Sequence, residues 1–114
     1  MPIKYHPAPD IKRRIIELAK DFPNVNADRL YCFRSTGSAA ERVLARIWSF
    51  PKIWQQALYM EPRYVIEILS ERFDNLPKEK QEEILIHELM HIPKKFSGGL
   101  RKHDKLKLPK HIRI

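Results

Sequence analysis

Apolar positions along this chain of 114 residues recur with two periods, and the change from one to the other marks the predicted elements. Residues 1–9 hold three prolines and read as an extended lead-in. Ile11, Ile15, Leu18 and Ala19 then share one helical face, which predicts a helix capped by Asp10 and running to about residue 21. Phe22-Pro23-Asn24 ends it, and residues 26–28 turn into a strand near 29–34. Residues 35–50 support two readings. Ala39, Ala40, Val43, Leu44 and Ile47 have helical spacing, which the period favours, although 43–49 also reads as a strand. Pro51 opens a short helix over 52–59 carrying Ile53, Trp54 and Leu58, and Glu61-Pro62 breaks it. Residues 64–69, Tyr-Val-Ile-Glu-Ile-Leu, carry the strongest strand signal in the chain.

Ser70 caps one loose turn through Phe73, and Pro77 then occupies the first position of a long helix. Glu79, Glu82 and Glu83 lie toward the positive end of that helix, and Pro93 stops it. Leu85, Ile86, Leu89, Met90 and Ile92 fill one arc. At about 100° per residue, His87 and His91 lie about 40° apart on the other, one turn above each other. The motif is His-Glu-x-x-His. This spacing lets one helix offer two imidazole nitrogens to one Zn²⁺, while Glu88 flanks the pair and reaches a water without ligating the metal. Beyond Pro93, Ser97-Gly98-Gly99 forms a flexible bend, residues 100–108 hold a helical turn or two, and 109–114 are extended.

A catalytic zinc takes three protein ligands and keeps one position open. The bend lets the chain turn back so that His103 supplies the third; His111, His6, Cys32 and Asp104 are the other candidates. Glu88 then acts as general base toward water and as general acid toward the leaving amine. A second donor to the oxyanion is usual, with Arg101, Tyr31, Tyr59 and Tyr64 as candidates. Two families that share the helix do not fit. Metzincins place glycine and histidine where this chain has Lys94 and Ser97, and Cys32 stands in Leu-Tyr-Cys-Phe-Arg without the glutamate and glycine of peptide deformylases.

The length suits one domain. No apolar run approaches a membrane span and the N-terminus lacks the order of a signal peptide, so the expected location is cytoplasmic, without membrane contact. Cys32 is the single cysteine, which excludes an intrachain disulfide. Charged residues at 32 % with few Asn and Gln lean toward a thermophile. The net charge of +8 is not spread evenly. Residues 94–114 hold eight basic side chains against Asp104, whereas the first 93 residues hold 14 basic and 13 acidic ones. Such a tail can bind an anionic partner, but no nucleic-acid motif accompanies it, so nucleic acid is not the expected partner. A monomer acting on a peptide or protein is.

His87-Glu-Leu-Met-His91 followed by Ile-Pro-Lys-Lys-Phe-Ser-Gly-Gly-Leu-Arg-Lys-His103 resembles the minigluzincins, minimal soluble zinc metallopeptidases of the proabylysin and projannalysin type. The resemblance covers most of the chain, and its specific part is residues 84–103. It implies an α+β domain over residues 1–104: a three-stranded mixed sheet packed on an active-site helix, with flanking helices. It assigns 43–49 to a strand, against the periodicity. It also implies histidine as third zinc ligand, kinship with membrane-embedded metallopeptidases, and latency imposed by the C-terminal segment. Residues 105–114, extended, with Leu106, Leu108, Ile112 and Ile114 alternating, would fold back along an edge strand over the cleft. The expected function is that of a zinc-dependent endopeptidase, a zymogen in this form. The alternative is a binding module with a structural or vestigial zinc site, whose basic tail contacts nucleic acid or another acidic partner.

Overall fold

The computed structural model describes residues 2–40 and 42–102. The chain opens with a strand, β1 (Lys4–Pro7), where the sequence predicts only an extended lead-in. Its side chains are all exposed, so no apolar alternation announces it, and Pro7 sits at the strand end, where a missing N–H costs nothing. Helix α1 (Pro9–Ala19) starts with Pro9 in its first turn and Ala8 as N-cap. Asp10 is not the cap. Its carboxylate accepts a hydrogen bond from Arg34 Nη1 at 2.6 Å, and that bond holds it below the usual carboxylate range.

A 3-10 turn, Ala27–Arg29, leads into β2 (Leu30–Thr36). Strand β3 (Ala45–Trp48) follows, so the strand reading of this region holds and the helical period misleads. The apolar residues at 39–44 lie in irregular chain. Within β3 the alternation is strand-like: Ala45 and Ile47 face the core, while Arg46 and Trp48 reach Glu67 on the other face. Helix α2 (Lys52–Leu58), strand β4 (Tyr64–Leu69), the single turn α3 (Ser70–Phe73) and helix α4 (Lys78–Met90) complete the order. Leu69 rather than Ser70 caps α3, and Pro77 is the N-cap of α4.

Among the described residues the sheet has four strands, not three, in the order β1-β2-β4-β3. It is mixed: β2 and β4 run parallel, while β1 on β2 and β3 on β4 are antiparallel. Ile11 and Ile15 of α1 and Leu85, Ile86, Leu89 and Met90 of α4 share one core with Leu30, Cys32, Ile47, Tyr64, Ile66 and Ile68 of the sheet. Both helices therefore cover the same face. Leu85, Leu89 and Ile92 are at most 1 % exposed. At roughly 1.5–3 kcal/mol for each fully buried aliphatic side chain, they anchor α4 more firmly than any cap, worth about 1 kcal/mol. Among the described residues no helix is long and apolar enough to cross a membrane.

Candidate active site

Helix α4 ends where the candidate chemistry begins. His87 and Glu88 occupy its last turn, and His91 is the C-cap, still in right-handed helical conformation. The carbonyls left without helical partners by the stop at Pro93 are taken up from outside. Asn24 Nδ2 donates to the carbonyls of Ile92 at 3.1 Å and Pro93 at 2.8 Å, and the Arg101 N–H donates to that of His91 at 2.6 Å. The rings of His87 and His91 meet edge to face, centroids 5.0 Å apart at 83°.

Both imidazoles and Glu88 line a cleft of about 670 Å³ between α4 and β3. Ile84 continues the helical wall, Leu44 and Ile47 form the opposite one, and Leu100 lies across them. Among the described residues β3 is the last strand at this end of the sheet, and residues 43–47 border the cleft. At the rim Lys80 pairs with Glu83 at 3.4 Å, and Arg42 stands on the strand side. The strand wall was legible as the alternative reading of 43–49, the one that the resemblance favoured over the helical period.

Glu88 is 6 % exposed, and burial pushes its carboxyl up to about 7. His91 Nδ1 lies 2.8 Å from the Arg101 carbonyl oxygen. A carbonyl can only accept, so Nδ1 carries a proton, and in the neutral ring Nε2 holds the lone pair. Ordinary reading of a sequence misses this contact, because a backbone oxygen has no residue type to betray it.

The remaining candidates separate by position. His103, Asp104 and His111 lie outside the described residues, as does the segment 105–114. Residues 100–102 are not helical. His6 is exposed on β1, at the sheet edge farthest from β3. Cys32 is buried in β2 beneath α1, and burial raises its thiol to about 11, which disfavours the thiolate a metal requires. Tyr31 lies on the sheet face away from the helices, its hydroxyl accepting from Arg63 at 2.8 Å. Tyr59 is 96 % exposed, and the Tyr64 hydroxyl is engaged by Gly98 and Gly99. Among the described residues no group of three or more His, Cys, Asp or Glu side chains stands ready for a metal ion; His87 and His91 need a further donor.

The family described as putative phage metallopeptidase matches residues 3–107, from the first strand past the cleft. The chain belongs to that family. No curated protein and no solved structure matches it. Membership makes the chain a metallopeptidase at the coarse level, one that works with a metal and acts on peptides. For a metallopeptidase of this family the donor set in the cleft is chemically apt. Imidazole nitrogens suit Zn²⁺ better than the hard cations that select oxygen, and the contact of His91 Nδ1 with the Arg101 carbonyl leaves Nε2 as the nitrogen that could face a metal.

Proposed function

We propose that the chain is a zinc-dependent endopeptidase of minigluzincin type, with His87, His91 and His103 holding the metal and Glu88 moving the proton. The observation that carries this reading is the convergence of two imidazoles and a buried carboxyl on one cleft beside an edge strand. When bound, zinc polarises a peptide carbonyl and makes water acidic enough to attack near neutral pH.

The residues of the chain do the rest. Glu88 takes a proton from the attacking water and delivers it to the departing amine. Its burial suits both halves of that role, since a carboxyl raised to about 7 is poised to accept and to give back. Arg101, through its carbonyl, keeps His91 in one tautomer. The outer edge of β3 offers backbone N–H and C=O groups to an extended peptide, which would lie between the strand and α4 as an added strand. Leu44, Ile47, Ile84 and Leu100 supply apolar contacts.

In this reading residues 1–104 form the catalytic domain and 105–114 an inhibitory segment that occupies the same edge. Tethering gives such a segment a high effective concentration, so modest affinity suffices for latency. The test is zinc content and cleavage of an unfolded protein by wild type and Glu88→Gln, each with and without the tail. Bound zinc with cleavage that disappears in Glu88→Gln supports the proposal. Bound zinc without cleavage in any form supports a binding module with a vestigial site.

A further inference from the structure

The segment that follows α4 is held in place by three separate elements. Tyr64, at the start of β4, is 1 % exposed, and its ring packs edge-on against Phe96 with centroids 4.9 Å apart. Its hydroxyl donates to the Gly99 carbonyl at 2.7 Å and accepts from the Gly98 N–H at 2.9 Å. One oxygen thus uses both of its hydrogen-bonding capacities on consecutive residues. Phe50, just before α2, donates its N–H to the Gly98 carbonyl at 2.7 Å. Gln55 of α2 donates Nε2 to the carbonyls of Phe50 at 2.7 Å and Ser97 at 2.8 Å.

The fit around Gly98 leaves no slack. Its φ is +91°, and a Cβ there would stand 2.2 Å from the Phe50 carbonyl oxygen. Two residues beyond Gly99, Arg101 meets His91 with both of its backbone groups, N–H to carbonyl at 2.6 Å and carbonyl to Nδ1 at 2.8 Å. A two-residue link spans at most about 7 Å, so wherever Gly98 and Gly99 are fixed, Arg101 has little freedom. The Tyr64 ring makes the apolar contact with Phe96, and the hydroxyl makes the two bonds to the loop. A buried hydroxyl must find hydrogen-bond partners, and both partners named above lie in the loop.

We infer that Tyr64, assisted by Gln55, is a positioning residue for His91: by fixing residues 97–99 it places the Arg101 carbonyl that orients the imidazole and selects its tautomer. The inference rests on His91 being a metal ligand, as proposed above. Neither residue touches substrate or metal. Each acts through the loop.

Tyr64→Phe tests this with two readouts that a merely structural role would leave alone. In the metal-free protein, long-range ¹H–¹⁵N correlation of the imidazoles gives His91 as the Nδ1–H form in wild type and as a mixture of tautomers in Tyr64→Phe. Zinc affinity, by competition with a chromophoric chelator, falls about 10–100-fold in the variant, the range for loss of a partner that orients a ligand, while circular dichroism is unchanged. Gln55→Ala shifts both in the same sense and less far, and it decides the matter where Tyr64→Phe does not fold. Wild-type affinity and a wild-type tautomer pattern in the variants overturn the inference. Wild type that binds no zinc overturns the proposed function instead, and the metal-free spectra still judge the clamp.

Discussion

Arg46 and Glu67 face each other across the β3–β4 ladder, Nε to Oε1 at 2.8 Å, on the sheet face that neither α1 nor α4 covers. The carboxylate is 1 % exposed and takes a further hydrogen bond from the Trp48 indole at 2.8 Å. Burial alone would raise its pKa, but the Arg46 and Trp48 bonds outweigh burial and hold it below the usual range. Ser35 Oγ makes no hydrogen bond of ordinary geometry, yet it lies near enough to favour the charged form as well. The pair ties the cleft's strand wall to the centre of the sheet.

The pH dependence follows from the direction of that shift. A depressed carboxylate stabilises the fold above its unfolded pKa, near 4.3, and loses that contribution as pH falls through its lower folded value. Wild type should therefore exceed Glu67→Gln in thermal midpoint by a constant margin above about pH 5. The margin should shrink progressively below pH 4 or so. At neutral pH Glu67→Ala should cost about 2 kcal/mol, less than a fully buried pair because Arg46 is one-third exposed. Thermal melts across pH 3–8 check all three.

Glu88→Gln should keep full zinc stoichiometry and lose about 10²–10⁴-fold in peptide cleavage, the usual worth of a general base. His87→Ala and His91→Ala should each abolish tight zinc binding. Elemental analysis beside a fluorogenic peptide assay separates the two classes of variant.

Cys32→Ala should leave zinc binding unchanged and cost about 1 kcal/mol or less of stability. The native thiol should resist iodoacetamide and react once the protein is unfolded, since it is buried and raised to about 11. Rapid labelling of the folded protein, or zinc lost with Cys32, would bring this residue back as a ligand.

Gly98→Ala should be the most damaging small substitution in the loop. The left-handed conformation costs about 1–3 kcal/mol for a residue with a Cβ, and the Phe50 carbonyl must also move aside. Both the thermal midpoint and zinc affinity should fall, whereas Gly99→Ala, whose Cβ would meet nothing closer than Ser97 Oγ at 3.7 Å, should change neither by much.

Truncation after Leu106 should raise cleavage of a small fluorogenic peptide if the remaining residues act as an inhibitory segment. Unchanged activity toward that peptide would remove latency from the proposal while leaving the catalytic assignment intact.

Helix α4 and strand β4 were legible in the sequence because each buries its apolar positions at its own period, Leu85 and Leu89 on one, Ile66 and Ile68 on the other. The cleft's two imidazoles and Glu88 were legible from the His-Glu-x-x-His spacing, which sets both rings on one face of that helix. Strand β1 was not, since its exposed side chains carry no alternation and its flanking prolines suppress the strand signal. Strand β3 was obscured by Ala39, Ala40, Val43 and Leu44, whose spacing imitates a helix in chain that has no regular structure. Helix α2 was found at the right place, yet Ile53, Trp54 and Leu58 are 76, 56 and 50 % exposed, so its apolar residues do not serve the core. The Tyr64 clamp left no signature at all. An aromatic residue at the start of a strand looks like packing, and its partners are backbone atoms.

The bond from His91 to the Arg101 carbonyl also bears on biosynthesis. The two residues are ten apart in sequence, and the loop between them is pinned by Tyr64 and Gln55, which are translated earlier. His87, Glu88 and His91 are therefore joined to the chain before the carbonyl that orients the second imidazole. Orientation of that imidazole arrives with residue 101 rather than with the motif. A product truncated before residue 101 would carry the His-Glu-x-x-His signature without the contact that holds its second imidazole.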